Sequence, residues 1–362
     1  MSDKVKNITI TISFMFTIII MLIINLIKTD TKISLSERRK LQQFPDFSIA
    51  TLLNGTFFEN IDKYTMDQFI GRETFRGLKT NFEIQLLKKQ DSNNIYKYDN
   101  KLIEQIYPLN EKSVVNITNK MNDINTRYLD ETNKIYYTIV LDKNYFVNSN
   151  NLKLDYNKLQ NVMDNNLKWA TYINIFDCLD LSCYYATDSH WKQESLQNVV
   201  NRIANSIGIK VDSEYEEKTV VDFKGVYAGQ FPIQIQNDEI RVLTNNIIES
   251  CIVYNYETHK TTPIYDMEKI NSLDKYDVYL SGATPLLTIE NPNSNTDKEL
   301  IVFRDSYGSS LIPLLVEAYS KITVIDTRYI SPRILGDYVE FKNKDILFAY
   351  STLLINNSTS LK

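Results

Sequence analysis

Residues Ile8 to Ile27 form an almost unbroken apolar run, Ile-Thr-Ile-Thr-Ile-Ser-Phe-Met-Phe-Thr-Ile-Ile-Ile-Met-Leu-Ile-Ile-Asn-Leu-Ile. About 20 such residues in a helix span the hydrocarbon core of a bilayer. Lys4 and Lys6 precede the run and no small-residue cleavage site follows it, so it reads as an uncleaved signal-anchor. Residues 1–7 then form a short tail, 8–27 the transmembrane anchor, and all later residues must fold on one side of the membrane. Charge does not choose the side. Lys28, Lys32, Arg38, Arg39 and Lys40 crowd the far flank as the two lysines crowd the near one. Residues 28–48 read as a charged juxtamembrane linker and 49–362 as the body.

That body has the composition of a packed globular protein. The chain has 362 residues, 43% of them hydrophobic, and a formal net charge of −5. No Lys/Arg stripe or zinc-finger spacing points to nucleic acid. Cys178, Cys183 and Cys251 are too few for a disulfide framework, although the first two are able to pair in an oxidising compartment. There are only two histidines, His190 and His259, which argues against a histidine-rich metal site and leaves two imidazole bases. No metal or organic cofactor is implied.

Apolar residues between Phe58 and Leu87 recur at helical spacing and predict two helices broken near Gly71. Ile135 to Val140 and Thr171 to Phe176 predict strands, Leu152 to Leu167 a helix, and Lys192 to Ser206 another. Residues from about 212 to 297 read as a β-rich insertion of short strands and loops. Buried-type strands follow at Leu300–Phe303, Lys321–Asp326 and Asp345–Tyr350. Strands alternating with helices predict an α/β domain with a mostly parallel sheet flanked by helices.

Two polar turns carry the candidate chemistry. The strand ending at Phe303 runs into Arg304-Asp305-Ser306-Tyr307-Gly308, and a helix follows with Pro313 in its first turn. Ser306 therefore sits beside outward-pointing N–H groups, where a serine oxygen is able to attack a carbonyl and the resulting oxyanion finds donors. The same residues also suit a plain helix cap. The second turn, Asp188-Ser189-His190-Trp191, also precedes a helix. Curled, it lets Asp188 accept the His190 Nδ1–H and frees Nε2 as a base. Neither turn is specific alone, but together they supply nucleophile, base and orienter. His259 lies in a polar turn with no orienting carboxylate and reads as a surface residue.

The segment Tyr184 to Trp191 resembles the one that gives the DHHW family its name, and Asp305-Ser306-Tyr307 resembles its serine motif. Glu37-Arg38-Arg39 with Leu41 and Phe44-Pro45, Phe223-Lys224-Gly225-Val226-Tyr227, Lys275 to Gly282, and Ile325-Asp326-Thr327-Arg328-Tyr329 resemble further family segments. The likeness runs from about Ser36 to Tyr350. That family is similar to the SGNH-like domains of alginate and exopolysaccharide O-acetyltransferases. The resemblance implies an SGNH-hydrolase-like domain on the extracytoplasmic side of the cell membrane. It implies Ser306 as nucleophile, His190 as base and Asp188 as orienter, with a membrane-bound O-acyltransferase as partner. Position 189 is Ser where the family name has a His, Ala186 stands where Arg is frequent, and Gly282-Ala283 replaces a candidate oxyanion pair. The Ser306 N–H and Gly282 are the expected oxyanion donors, and Trp191, Arg304 and Arg328 the expected substrate contacts. The expected activity is acyl transfer to, or removal from, a cell-surface or secreted polysaccharide. The departures favour an alternative, a non-catalytic polysaccharide-binding or scaffold protein with a degenerate site.

Overall fold

The computed structural model describes residues 2–148 and 151–362. They form two compact units, one of residues up to Ser92 with Gly229–Gln234, the other of Asn93–Ala228 with Ile235–Lys362. The body expected from 49 to 362 is thus divided near Ser92, its first segment clustering with the N-terminal residues.

In the first unit a helix runs over Asp3–Ile27, 25 residues with none of them buried. At about 1.5 Å per residue it is long enough to cross a bilayer. Helices follow at Ile49–Leu53, Thr56–Asp67 and Arg72–Asn81, the last continuing as a π turn over Phe82–Leu86. The predicted break falls at Gly71, whose φ of +70° is a left-handed cap position that favours glycine. The Glu37-Arg38-Arg39 segment forms part of a charge knot. The Arg39 guanidinium donates to both Asp67 oxygens, at 2.8 and 2.6 Å. Glu37 pairs with Arg72, and with Arg76 at 3.2 Å.

The second unit is built on one eight-stranded sheet: β1 Lys134–Val140, β2 Thr171–Tyr172, β3 Ile252–Asn255, β4 Lys260–Thr262, β5 Leu286–Glu290, β6 Glu299–Arg304, β7 Lys321–Ile325 and β8 Asp345–Ser351. The strand order is β4-β3-β5-β7-β6-β8-β1-β2. Pairings from β7 through β6, β8 and β1 to β2 are all parallel, while β5, β3 and β4 add an antiparallel edge. The stretch read as a β-rich insertion supplies two pieces of this unit. Its first part is a ribbon of Glu216–Phe223 against Asp238–Thr244, and its later strands extend the main sheet.

Alternate residues of each strand enter two cores. Leu300 and Val302 of β6 pack in one, with Val199, Val200 and Ile203 of the helix Gln197–Ile207 and Leu311, Leu314 and Leu315 after the serine turn. Ile301 and Phe303 pack in the other, with Val114, Ile117 and Met121 of the helix Glu111–Tyr128 and Leu159 and Met163 of the helix Tyr156–Asn166. A sheet covered on both faces needs near-continuous apolar strands, which is what β6 and β8 have. The helix Glu111–Tyr128 and the hairpin Ile95–Tyr98/Lys101–Glu104 were not anticipated. Nor does the segment after Ser306 form one long helix: four α-helical residues, Gly308–Leu311, give way to a 3-10 stretch over Ile312–Ala318. Pro313 has no N–H to bond back one α turn, so the change of winding falls at the proline.

Candidate active site

Strand β6 lies between β7 and β8, and its carboxyl end delivers Asp305 and Ser306 to the edge of the parallel region. Asp305 fixes the turn. One carboxylate oxygen accepts the Tyr307 N–H at 3.1 Å, and the other accepts the Ser351 N–H at the end of β8 at 2.8 Å. Among the described residues the Ser306 N–H has no acceptor. Gly308 is needed for space, because a Cβ there would lie 2.6 Å from the Arg304 Cβ.

The two turns meet. His190 Nε2 lies 2.7 Å from Ser306 Oγ, and His190 Nδ1 lies 2.6 Å from Asp188 Oδ1. Asp188 is 1% exposed and His190 9%, while Ser306 is half-buried and faces a cleft. The second Asp188 oxygen accepts the Val226 N–H at 3.0 Å, so the carboxylate is held from both sides. The imidazole is stacked on Tyr276, with ring centres 4.0 Å apart and planes 14° apart. The Tyr276 hydroxyl in turn shares a hydrogen bond with Ser310 at 2.8 Å, and its burial pushes the phenol's pKa up.

The loop carrying Asp188 is clamped through its backbone. Asp238 accepts the N–H groups of Ala186 and Thr187 at 2.7 and 2.8 Å. Lys101 Nζ donates to the Tyr184 carbonyl at 2.6 Å and Lys143 Nζ to the Tyr185 carbonyl at 3.1 Å. Lys143 is buried, which pushes its pKa down to about 7 against the neighbouring charge of Asp188. From the far side, the Gly225 N–H donates to Thr187 Oγ1 at 2.8 Å. A Cβ at Gly225 would lie 2.3 Å from the Asp188 Cβ and 2.4 Å from the Thr187 carbonyl oxygen. The Phe223–Tyr227 segment is thus the seat of the Asp188 loop. The family likeness of this segment and of the one holding Tyr276 marks both in the sequence without giving them a role, and Lys143 and Asp238 carry no such mark.

Three expected contacts fall elsewhere. Trp191 is fully buried, and its indole N–H donates to the Tyr307 carbonyl and Ser310 Oγ, each at 3.0 Å. Arg304 is also fully buried, donating to the Gly282 carbonyl at 3.0 Å and standing 3.7 Å from Asp326. Both support the turns from beneath, so neither is exposed to meet a substrate. The Gly282 N–H is spent on the Tyr279 carbonyl at 3.1 Å. Glycine is required there by its φ of +85° and by Asp277 Oδ1, which a Cβ would meet at 2.2 Å.

Arg328 does line the cleft, of about 440 Å³, together with Ser306, Ser189, Tyr329, Ser351 and Asn357. Its Nε and Nη2 grip the two Asp326 oxygens at 2.9 and 2.6 Å. That grip fixes the guanidinium on the wall of the cleft that Ser306 also lines. Cys178 and Cys183, which an oxidising compartment would allow to pair, carry free buried thiols. His259 Nδ1 lies 3.3 Å from the Tyr254 hydroxyl, an exposed contact within one hairpin.

No protein-family model matches the sequence, and no curated protein matches it. Solved structures do match its fold. A DHHW family protein from Eubacterium siraeum superposes with a TM-score of 0.59 at 16% identity, over 75% of this chain and 94% of that one. PatB1 of Bacillus cereus, solved with a sulfonyl adduct, has a TM-score of 0.59 at 17% identity, over 73% of this chain and 97% of that one. A looser likeness, TM-score 0.40 at 10% identity over 68% of this chain and 83% of the other, is to the O-acetyltransferase domain of Pseudomonas putida AlgJ. The chain has the fold of a DHHW family protein.

Proposed function

We propose that this chain is a membrane-anchored, outward-facing serine acyltransferase or acylesterase acting on a cell-surface or secreted polysaccharide, with acetyl as the transferred group. The observation that carries the reading is the unbroken hydrogen-bonded line from Asp188 through His190 to Ser306. Ser306 Oγ attacks the acyl carbonyl carbon as its proton passes to His190 Nε2. Asp188, bonded to Nδ1, fixes the tautomer and stabilises the imidazolium that forms. Charge on the former carbonyl oxygen collects against the Ser306 N–H, whose free donor supports that role. The leaving group departs with the proton from His190, and an acyl-serine remains. A sugar hydroxyl or water then gives its proton to His190 and attacks the acyl carbon, the bond from that carbon to Ser306 Oγ breaks, and His190 returns the proton to Oγ.

PatB1, which shares the fold, was solved with a sulfonyl adduct, and that supports a sulfonyl electrophile as the probe for Ser306. Arg328, presented to the cleft, suits an anionic sugar. A membrane-bound O-acyltransferase is the partner that would supply acetyl groups across the membrane. The N-terminal helix supports a single-pass anchor, and the outward orientation is tested by a C-terminal reporter, which must be inactive in the cytoplasm.

The test is transfer itself. Incubation of the full chain with an aryl acetate and an acidic oligosaccharide should yield acetylated oligosaccharide, lost in Ser306→Ala. Release of acetate alone would assign an esterase. Consumption of the ester unchanged in Ser306→Ala would remove the catalytic reading and leave the scaffold.

A further inference from the structure

The helix Arg72–Asn81 and the π turn after it are built inside out. Phe75, Leu78, Phe82 and Leu86 fall at spacings of three, four and four, one stripe of a helix, and they are 50%, 59%, 51% and 67% exposed. The two arginines of the same helix are instead drawn inward, where Arg72 and Arg76, 15% and 19% exposed, pair with Glu37. A helix packed on a water-facing surface does the reverse. The outward apolar character continues upstream in Ile49 and Leu53, 72% and 82% exposed.

This face is tied to the end of the apolar N-terminal helix. Asn25, in that helix's last turn, accepts the Ile70 N–H at 2.8 Å. Gln68, two residues earlier in the same junction, accepts the Thr31 N–H at 3.0 Å and donates to the Thr31 and Gln42 carbonyls at 2.9 and 3.0 Å. The bonds hold the start of the inverted helix beside the point where the apolar helix leaves the hydrocarbon. Exposed Lys79 and Lys88 flank the stripe, placed for their stems to lie along an apolar layer with their ammonium groups at its polar edge.

We infer that the stripe Phe75-Leu78-Phe82-Leu86 is a membrane-docking face, seated in the headgroup and acyl boundary of the bilayer that the N-terminal helix crosses. The inference rests on that helix being a retained anchor. Its occupant is lipid because the Asn25–Ile70 bond ties the start of this helix to the end of the anchor, and because exposed Lys79 and Lys88 lie beside the stripe. Seated this way, the unit is anchored at two places rather than at a single swivelling helix.

Tryptophan placed at Phe82 or at Phe16 in the full-length chain reports depth. Each variant is reconstituted in phosphatidylcholine–phosphatidylglycerol vesicles with and without bromine on the acyl chains, with the wild-type chain as the blank for Trp169 and Trp191. The expected result is blue-shifted emission and about twofold quenching by brominated lipid in both Phe16→Trp and Phe82→Trp. Quenching at residue 16 with water-like, unquenched emission at residue 82 would overturn the docking face and leave the stripe to a protein partner. Quenching at neither would overturn the anchor reading along with it.

Discussion

Gly225→Ala isolates the seating of the Asp188 loop. Glycine is held there by space alone, since its backbone is not in the left-handed region. An added methyl would sit 2.3 Å from the Asp188 Cβ and 2.6 Å from its Cα, whereas ordinary contact begins near 3.4 Å. The loop must retreat by about 1 Å, or the Phe223–Tyr227 segment must, and the Val226 N–H bond to Asp188 stretches with it. Overpacking of this kind costs about 1–3 kcal/mol of stability. A misplacement of about 1 Å in a catalytic constellation costs about 100-fold in rate. The assay is the rate at which a sulfonyl fluoride derivatises Ser306, measured at a temperature where circular dichroism shows both proteins folded. Gly77→Ala is the control: the nearest atom to its new methyl is 3.8 Å away, and it lies inside a helix, so it should be neutral or stabilising by up to about 1 kcal/mol. Wild-type reactivity and stability in Gly225→Ala would refute the claim that this segment positions Asp188.

Lys143 predicts a pH effect. Its folded pKa is about 7 and the ordinary lysine value is 10.5. Between these the unfolded chain binds a proton that the folded chain does not, so this group's contribution to stability rises with pH. The melting temperature of the wild type relative to Lys143→Met should therefore climb from pH 7 to pH 9, and an unchanged difference would contradict it. Arg328→Gln should raise KM for an anionic acceptor about tenfold while hydrolysis of a neutral aryl ester changes less than about twofold. Steady-state kinetics on the two substrates separates these. Tyr276→Leu removes the ring stacked on His190 and should slow acylation about tenfold without preventing folding, as stopped-flow measurement of ester cleavage would reveal.

What the sequence made legible was local. Asp188 and His190 are two residues apart, and Ser306 follows an apolar strand, so the two turns together offer a nucleophile, a base and an orienter, and the family resemblance gives them those roles. The alternation of strands and helices likewise announced a sheet with both faces covered. Contacts made across long stretches of chain left no such mark. Trp191 and Arg304 have side chains typical of ligand contacts, but burial depends on what the remaining chain places above them. Gly225 and Tyr276 meet the Asp188 and His190 turn from 37 and 86 positions along the chain. The helix Glu111–Tyr128 has no clear sequence signal, because its apolar stripe, Val114, Ile117, Met121 and Ile124, is narrow and set among asparagines. The stripe from Phe75 to Leu86 was legible as a period, yet the period does not say whether the apolar side faces a core or a bilayer.

The most direct measurement is covalent capture. The chain is treated with an aryl sulfonyl fluoride and read by intact mass and peptide mapping. The expected result is one adduct per chain, on the peptide containing Ser306, absent in Ser306→Ala and slowed by about 1000-fold in His190→Gln. An adduct that persists in Ser306→Ala, or forms at the same rate without His190, would contradict it.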